Sequence, residues 1–288
     1  MRVGRMVIAS FVVATVATSI ACGARTSLAV GTTVEVEAGA DVRARDAVAD
    51  GVDASTRPPL PTPRAIFATT SDFDFRDRLY RFDPKAAKLT LIAKIKGCND
   101  VADIAIDRKG RAFVTTRAGF ARLDLDTGDC TLVAAGSFPH ALEALPPNVV
   151  GPDEAIVGFR LSEYVRVDAT TGALSVTSTL PFPAWAGDVT YLEGRGLVAA
   201  LYTSDPEHLL FPVDPKDGTP AEPIAIGGEV VDFTGTAPWG WTLYAFGGIA
   251  GIYAIDTFGP AWTSAPVDYE VQGGGDPLLP FTGAAPLW

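Results

Sequence analysis

Hydrophobic and polar positions alternate in short segments along most of this chain. Between residues 103 and 133, for example, the apolar runs 104–106 and 112–115 flank a polar turn, and residues 120–124 alternate apolar and polar side chains. The turns contain Asp and Gly, which tolerate the backbone angles that turns require. Alternation with period two predicts β-strands. No segment has a convincing helical period, so we predict an all-β domain.

The strand pattern repeats at a nearly constant interval. In each copy an apolar segment runs into an aspartate, a polar turn and a further strand, and these aspartates follow one another at intervals of 41, 44, 46 and 42 residues: Asp83, Asp124, Asp168, Asp214 and Asp256. A period of this size built from strands is typical of a β-propeller. We predict one β-propeller over residues 65–288 with five four-stranded blades. The alternative is six blades, if one copy is degenerate.

The two ends of the repeat region are complementary. The first copy begins at its second strand, residues 66–70, whereas residues 276–283 read as a lone first strand. We therefore predict that the C-terminal strand completes the first blade. Such closure removes the open sheet edges that promote aggregation.

The N-terminus reads as an export signal over residues 1–22. Arg2 and Arg5 precede the apolar run from Met6 to Ile20, which is shorter than the ~20 residues of a membrane-spanning helix and is followed by Ala21-Cys22. The residues Ser19-Ile20-Ala21-Cys22 resemble the lipobox of bacterial lipoproteins, which implies lipidation of Cys22 and an anchor in the bacterial cell envelope. The alternative is ordinary cleavage after Ala21 and a secreted, soluble protein.

Residues 23–64 have the composition of a tether. They contain no aromatic residue and end in the proline-rich run 57–63. Such a segment cannot bury enough apolar surface to offset the entropy of ordering. We predict a disordered tether rich in Ala, Gly and Pro, with a stiffer proline-rich end.

Charge and cysteine content narrow the partners and the compartment. The formal net charge of −11 repels phosphate backbones, which argues against nucleic acid as a partner. If Cys22 is lipidated, Cys98 and Cys130 remain as an even pair that can form a disulfide in an exported protein. The alternative is two free thiols. We expect a monomer whose only membrane contact is the N-terminal lipid.

Segments such as 79–83 and 124–128 resemble those of secreted propellers of the six-bladed lactonase, NHL-repeat and YncE-like kinds. The resemblance covers residues 65–288 as a pattern. It implies a propeller fold, and through the lactonases it implies one alternative function, a hydrolase that depends on a divalent cation.

Carboxylates recur at the predicted starts of the inner strands. These residues are Asp103, Asp188, Asp232 and Asp276, and the fifth equivalent position falls at Ala141, beside His140. If the starts align, the acids ring one mouth of the central channel and could hold Ca²⁺, which prefers oxygen ligands. The alternative is structural, with each Asp accepting hydrogen bonds from backbone N–H groups.

Aromatic residues and histidines fall in the loops of the same predicted face. This candidate ligand face consists of Phe73, Phe75, Phe138, His140, Phe182, Trp185 and His208. Rings interleaved with a few polar groups suit a small molecule, a glycan or a protein surface.

Catalytic motifs are missing from the sequence. It contains neither Gly-x-Ser-x-Gly nor His-Glu-x-x-His, and two histidines cannot supply a three-histidine zinc site. We therefore favour an exported binding module that uses its top face. The alternatives are the cation-dependent lactonase-like hydrolase and a structural scaffold of the cell envelope.

Overall fold

Five small, mainly antiparallel sheets form a five-bladed β-propeller in the computed structural model of the chain. The structure describes residues 57–71, 77–180, 185–202, 209–228, 233–247, 251–259, 261–273 and 280–288. Every regular element in these ranges is a strand. The predicted all-β class and five-bladed propeller are confirmed, and the six-bladed alternative is wrong.

The blades follow one another along the chain. Blade 1 contains β1 (Ala65–Thr70), β2 (Arg78–Asp83) and β3 (Lys88–Lys94). Blade 2 contains β4 (Val101–Ile106), β5 (Ala112–Thr116), β6 (Gly119–Leu123) and β7 (Cys130–Ala135). Blade 3 contains β8 (Ala141–Leu145), β9 (Ala155–Arg160), β10 (Glu163–Val167) and β11 (Leu174–Thr179).

The last two blades carry more irregular outer edges. Blade 4 contains β12 (Trp185–Leu192), β13 (Gly196–Tyr202) and β14 (Leu209–Val213). Blade 5 contains β16 (Phe233–Trp239), β17 (Thr242–Gly247), β18 (Gly251–Asp256) and β19 (Trp262–Pro266). Two short strands, β15 (Ile226–Gly228) and β20 (Glu270–Gln272), pair in parallel with β19 and β3. They give blades 5 and 1 a fifth strand.

The C-terminal strand β21 (Phe281–Leu287) closes the ring. It pairs antiparallel with β1, with Ile66 opposite Pro286 and Ala68 opposite Ala284. The predicted closure of the first blade is confirmed. The strand shares residues 281–283 with the predicted range 276–283 and runs on to Leu287, while residues 276–279 lie outside the described residues.

The core is divided among the five interfaces between blades. Each of the five buried apolar clusters joins two neighbouring blades. In β1, Ile66 packs towards blade 5 with Phe246, whereas the next residue, Phe67, packs towards blade 2 with Ile104. Successive side chains of a strand point to opposite faces of its sheet, so each blade interior is apolar on both faces.

The repeating aspartates make the turns that the sequence suggested. Asp124 Oδ1 accepts hydrogen bonds from the backbone N–H groups of Asp126 and Thr127, and the turn closes at Gly128 with a φ of 72°. Asp168 makes the same turn before Gly172 in blade 3. A side-chain carboxylate that bonds to nearby backbone fixes such turns. These turns between third and fourth strands, with those between first and second strands, define the bottom face. The loops between second and third strands and between blades define the top face.

The chain reaches blade 1 along the bottom face. The described residues begin at Arg57, and the Arg64 N–H donates to Leu287 O at the bottom end of β21. The sequence assigned residues 57–64 to the tether. In the structure these residues contact blade 5, where Arg57 pairs with Asp256 and the Trp241 indole donates a hydrogen bond to Pro58 O.

Candidate functional site

Three buried carboxyl groups lie where the inner strands meet at the propeller axis. Asp103 accepts hydrogen bonds from Ile104 N (2.7 Å) in its own strand and from Leu142 N (2.5 Å) in blade 3. Glu143 accepts from Ala144 N (2.8 Å) and from Tyr191 N (2.9 Å) in blade 4. Each carboxyl therefore links its own inner strand to the next one around the ring.

Asp188 continues the same arrangement from blade 4 to blade 5. It accepts from Val189 N (2.6 Å) in its own strand and from both the N–H and the hydroxyl of Thr236 in β16. Asp188 is 1% exposed and Asp103 is 0% exposed. A buried polar group must be satisfied in this way, since an unpaired one costs about 1–3 kcal/mol.

Glycines occupy the equivalent positions in the two remaining inner strands. A β-bulge precedes Asp103, Asp188, Gly235 and Gly283 in their strands. A Cβ atom on Gly283 would lie 2.1 Å from Asp103 Oδ1, and one on Gly235 would lie 2.6 Å from the Gly283 carbonyl carbon. The strands approach too closely for side chains here, so blades 5 and 1 contact their neighbours through backbone.

Burial raises the pKa of all three carboxyl groups. For Asp103 the largest cause is desolvation, and the neighbouring Asp188 carboxylate raises the pKa further. Desolvation also raises the pKa of Asp188 well above its usual range, against the lowering effect of its hydrogen bonds from Thr236. Desolvation raises the pKa of Glu143 to about 7, although the Tyr191 N–H bond opposes it. Hydrogen bonds to the charged form cannot fully replace lost hydration.

The predicted ring of channel-mouth acids differs from this arrangement. Asp103 and Asp188 lie inside their strands and accept backbone N–H groups, while Asp232 and Asp276 lie outside the described residues. The position equivalent to Asp188 is Gly235 in blade 5 and Gly283 in blade 1. The prediction for Asp232 and Asp276 therefore stays a prediction.

Glu143 is the axial carboxyl that the sequence reasoning missed. Ala141 is the position equivalent to Asp103, as predicted, because the N–H of the following Leu142 donates to Asp103 just as that of Thr236 donates to Asp188. Glu143 lies two residues further along the same strand and therefore on the same face. A single charged residue inside the apolar run Ala-Leu-Glu-Ala-Leu was the available signal.

A cleft of about 360 Å³ opens on the top face between blades 1, 2 and 3. Its walls include Ser71 and Thr282 from blade 1, Thr115 and Arg117 from blade 2, and Phe138 and His140 from the loop that leads into blade 3. Small-molecule sites typically occupy ~300–1,000 Å³. The cleft therefore has the size of a site for a small ligand or a side chain.

The floor of this cleft is a buried aromatic ring and its rim is polar. Phe138 is buried and stacks on Phe120, with ring centroids 5.6 Å apart. His140 is exposed, and the Arg117 guanidinium lies 3.9 Å from an Asp100 carboxylate oxygen with 82% of its side chain exposed. The Thr115 hydroxyl is buried without a hydrogen-bond partner among the described residues. An aromatic base with a few polar groups suits ligand binding.

The structure describes only part of the predicted ligand face. The structure brings Phe138 and His140 together in the cleft. Trp185 belongs to β12, but its side chain is not described. Four further residues of the predicted face lie outside the described residues: Phe73, Phe75, Phe182 and His208.

The two candidate cysteines of the propeller are bonded to each other. Cys98 and Cys130 form a disulfide with a Cα–Cα distance of 5.6 Å, next to the short parallel contact between Lys96 and Asp129. This bond ties the segment entering blade 2 to the outer strand of that blade. Cys22 lies outside the described residues.

Metal ligands and membrane spans were searched in the described residues. No group of three or more His, Cys, Asp or Glu side chains there could hold a metal ion. In the same ranges, no helix has the length and apolar character to cross a membrane.

Comparison with known proteins identifies the fold alone. No family model matches the chain, and no curated protein matches it. A solved structure described as "The de novo evolutionary emergence of a symmetrical protein is shaped by folding constraints" is 16% identical, with a TM-score of 0.52 over 77% of this chain and 98% of that one.

Two further solved structures are more distant. Virginiamycin B lyase from Staphylococcus aureus is 14% identical, with a TM-score of 0.39 over 72% of this chain and 73% of that one. The Dos1 propeller is 14% identical, with a TM-score of 0.38 over 73% and 57%. A shared fold does not carry a function with it.

Proposed function

We propose that this protein is an exported β-propeller of the bacterial cell envelope, anchored through Cys22, that binds a small polar molecule or glycan in its top-face cleft. The observation that carries the proposal is the cleft itself, where the buried, stacked Phe138 ring meets the exposed groups of Arg117 and His140. Within a chain of net charge −11, a cleft that presents an arginine and a histidine favours ligands with hydroxyl or carboxylate groups.

The position of the tether supports this use of the top face. The segment that leads into β1 runs along the bottom face, where Arg57 pairs with Asp256. The segment that carries a lipid anchor on Cys22 would therefore join the propeller at its bottom face. The cleft on the opposite face would stay accessible from the side away from the membrane.

The buried Thr115 hydroxyl is a second supporting feature. Buried polar groups are normally hydrogen-bonded, and this one lines the cleft without a partner among the described residues. A hydroxyl or carboxylate of a ligand would satisfy it. The neighbouring Thr116 is already committed, because its hydroxyl donates to Gly119 O and accepts from Gly119 N.

The test is a thermal-shift screen of the full chain against neutral and acidic monosaccharides and amino acids. A ligand that binds only the folded state raises the melting temperature. We expect at least one compound to stabilise the wild type and the control variant Arg81→Ala, which changes an exposed arginine of β2 outside the cleft. The same compound should not stabilise the double variant Arg117→Ala, His140→Ala. An equal shift in both variants would contradict binding in the cleft.

A further inference from the structure

We call the proline-rich residues 57–63 the proline segment. Every third residue of this segment, starting at Arg57, is covered by the propeller, and the residues between are exposed. Arg57 and Leu60 are half-buried and Pro63 is buried, whereas the residues between them are exposed: Pro58, Pro59, Pro61 and Thr62. Every residue of the segment either is a proline or precedes one, and both conditions favour extended backbone. The polyproline II helix has three residues per turn, so one edge of such a helix faces the propeller.

The first residue of that edge is held by two kinds of contact. Arg57 Nη2 lies 2.7 Å from Asp256 Oδ2 and Nη1 lies 3.2 Å from Asp256 Oδ1, which makes a two-point ion pair. The same guanidinium lies over the Phe258 ring, 4.8 Å from its centroid. Arginine suits such a site because its planar group can pair with a carboxylate and stack on a ring together.

A tryptophan holds the backbone of the segment. The Trp241 indole Nε1–H donates to Pro58 O over 2.8 Å. The Trp241 ring meets the Phe258 ring edge-on with centroids 5.0 Å apart. Carbonyl groups in a proline-rich segment have no internal hydrogen bonds, so an indole N–H is a suitable external donor.

These three residues, Asp256, Phe258 and Trp241, form what we call the bottom-face groove. Arg195 extends it, because its guanidinium lies over both the Trp241 ring (5.7 Å) and the Trp262 ring (5.5 Å). Aromatic-lined grooves recognise proline-rich segments because the polyproline II conformation is already formed and loses little entropy on binding. The groove thus combines an aromatic wall, an indole donor and a carboxylate for a flanking arginine.

We propose that the bottom-face groove is a recognition site for polyproline II segments that begin with arginine, and that its occupant is the chain's own proline segment. The segment continues directly into β1 at Ala65, and the Arg64 N–H is fixed to Leu287 O. Covalent linkage of this kind gives an effective concentration of the order of millimolar. Modest contacts then suffice to keep the groove filled and to fix the direction in which the tether leaves the propeller.

The experiment compares full-length variants for binding of a blocked peptide with the sequence Arg-Pro-Pro-Leu-Pro-Thr-Pro. The release variant, Arg57→Ala with Leu60→Asp, changes two residues of the buried edge. The matched control, Thr62→Ala with Arg64→Ala, changes two exposed side chains of the same stretch. Binding of every variant is measured by isothermal titration calorimetry. Where Trp241 is present, its ¹⁵N-indole resonance, assigned from Trp241→Phe, reports whether the peptide lies in the groove, and near-ultraviolet circular dichroism verifies that each variant is folded.

We expect the release variant to bind the peptide at least about tenfold more tightly than the wild type or the control, because only its groove is empty. Adding Trp241→Phe to the release variant should weaken binding at least about tenfold, since it removes the indole donor. A folded release variant that binds no peptide would overturn the recognition site. Peptide binding to the wild type at the affinity of the release variant would overturn occupation by the chain's own segment. Occupation by the chain's own segment would also be overturned if the wild type and the control form a concentration-dependent dimer that the release variant does not form, because the segment of a second copy would then fill the groove.

Discussion

Blades 2, 3 and 4 meet the propeller axis in a different way from blades 5 and 1. Blades 2, 3 and 4 bring carboxyl side chains to the axis, and each carboxyl bonds to backbone N–H groups of its own and the next blade. Blades 5 and 1 bring Gly235 and Gly283, whose backbones touch their neighbours directly. Five inner strands leave too little space for five side chains. A small propeller can therefore close at its axis through carboxyl-to-backbone hydrogen bonds in some blades and through direct backbone contact in the others.

Deleting residues 281–288 should have the largest effect, because β21 joins the glycine blades to the carboxyl blades. Its loss leaves the β1 edge unpaired and exposes the Ile66 and Phe246 cluster. We expect no cooperative thermal transition by circular dichroism and aggregation in size-exclusion chromatography. Deleting Trp288 alone, which removes only a ring contact with Arg108, is the control and should leave a cooperative melt. A truncated protein that is monomeric with an unchanged melt would contradict closure.

Gly283→Ala tests the glycine side of the comparison. The new Cβ would lie 2.1 Å from Asp103 Oδ1 and 2.7 Å from Asp103 Cα. We expect a loss of about 3 kcal/mol in the free energy of unfolding, because the inner strands must move apart. Gly151→Ala, where a Cβ meets nothing within 4 Å, should change it by less than about 0.5 kcal/mol. Urea denaturation gives both values, and equal stability of the two variants would show that the strands are not in close contact.

Asp188→Ala tests the carboxyl side. It leaves the N–H groups of Val189 and Thr236 without their acceptor at a buried position. We expect a loss of about 2 kcal/mol in the free energy of unfolding, partly offset because a costly buried charge is also removed. Asp126→Ala, at an exposed turn position, should have no measurable effect. Wild-type stability of Asp188→Ala would argue against the bridges between blades.

The pH dependence of stability should separate Glu143 from ordinary surface carboxylates. Its pKa is about 7 in the folded protein, above the 4.5 of an unperturbed glutamate, so the folded state holds the proton more tightly. The stabilisation is complete below pH 4.5 and is lost as the pH rises to about 7, by roughly 3 kcal/mol in all. Glu143→Gln should flatten this part of the curve in chemical denaturation. A variant that keeps the wild-type slope between pH 5 and 7 would assign the slope to other groups.

The sequence predicted the parts of the fold that depend on local chemistry. The Asp turns that are followed by Gly128 and Gly172 indicated the repeat period, and the period predicted five blades. The incomplete first copy predicted closure by the C-terminal strand. These features are readable because turn residues and strand alternation act over a few neighbouring positions.

The features that the sequence did not reveal depend on contacts between residues that are far apart in the chain. Residues 276–283 were chosen for their spacing, and β21 shares only residues 281–283 with them. Glu143 was missed because its partner, Tyr191 N, is 48 residues away. The proline segment was predicted to be the stiff end of a tether, and nothing local in the sequence indicates that Trp241 and Asp256 lie beside it.

The most direct test of the axial bridges is a carbon-13 NMR titration of the side-chain carboxyl of Glu143, with Glu143→Gln used for assignment. We expect this carbon to titrate near pH 7, because the carboxyl is buried at the axis and burial disfavours its charged form. Titration near pH 4.5, together with ready solvent exchange of the Tyr191 N–H, would show that Glu143 is hydrated and that the inner strands are not bridged there.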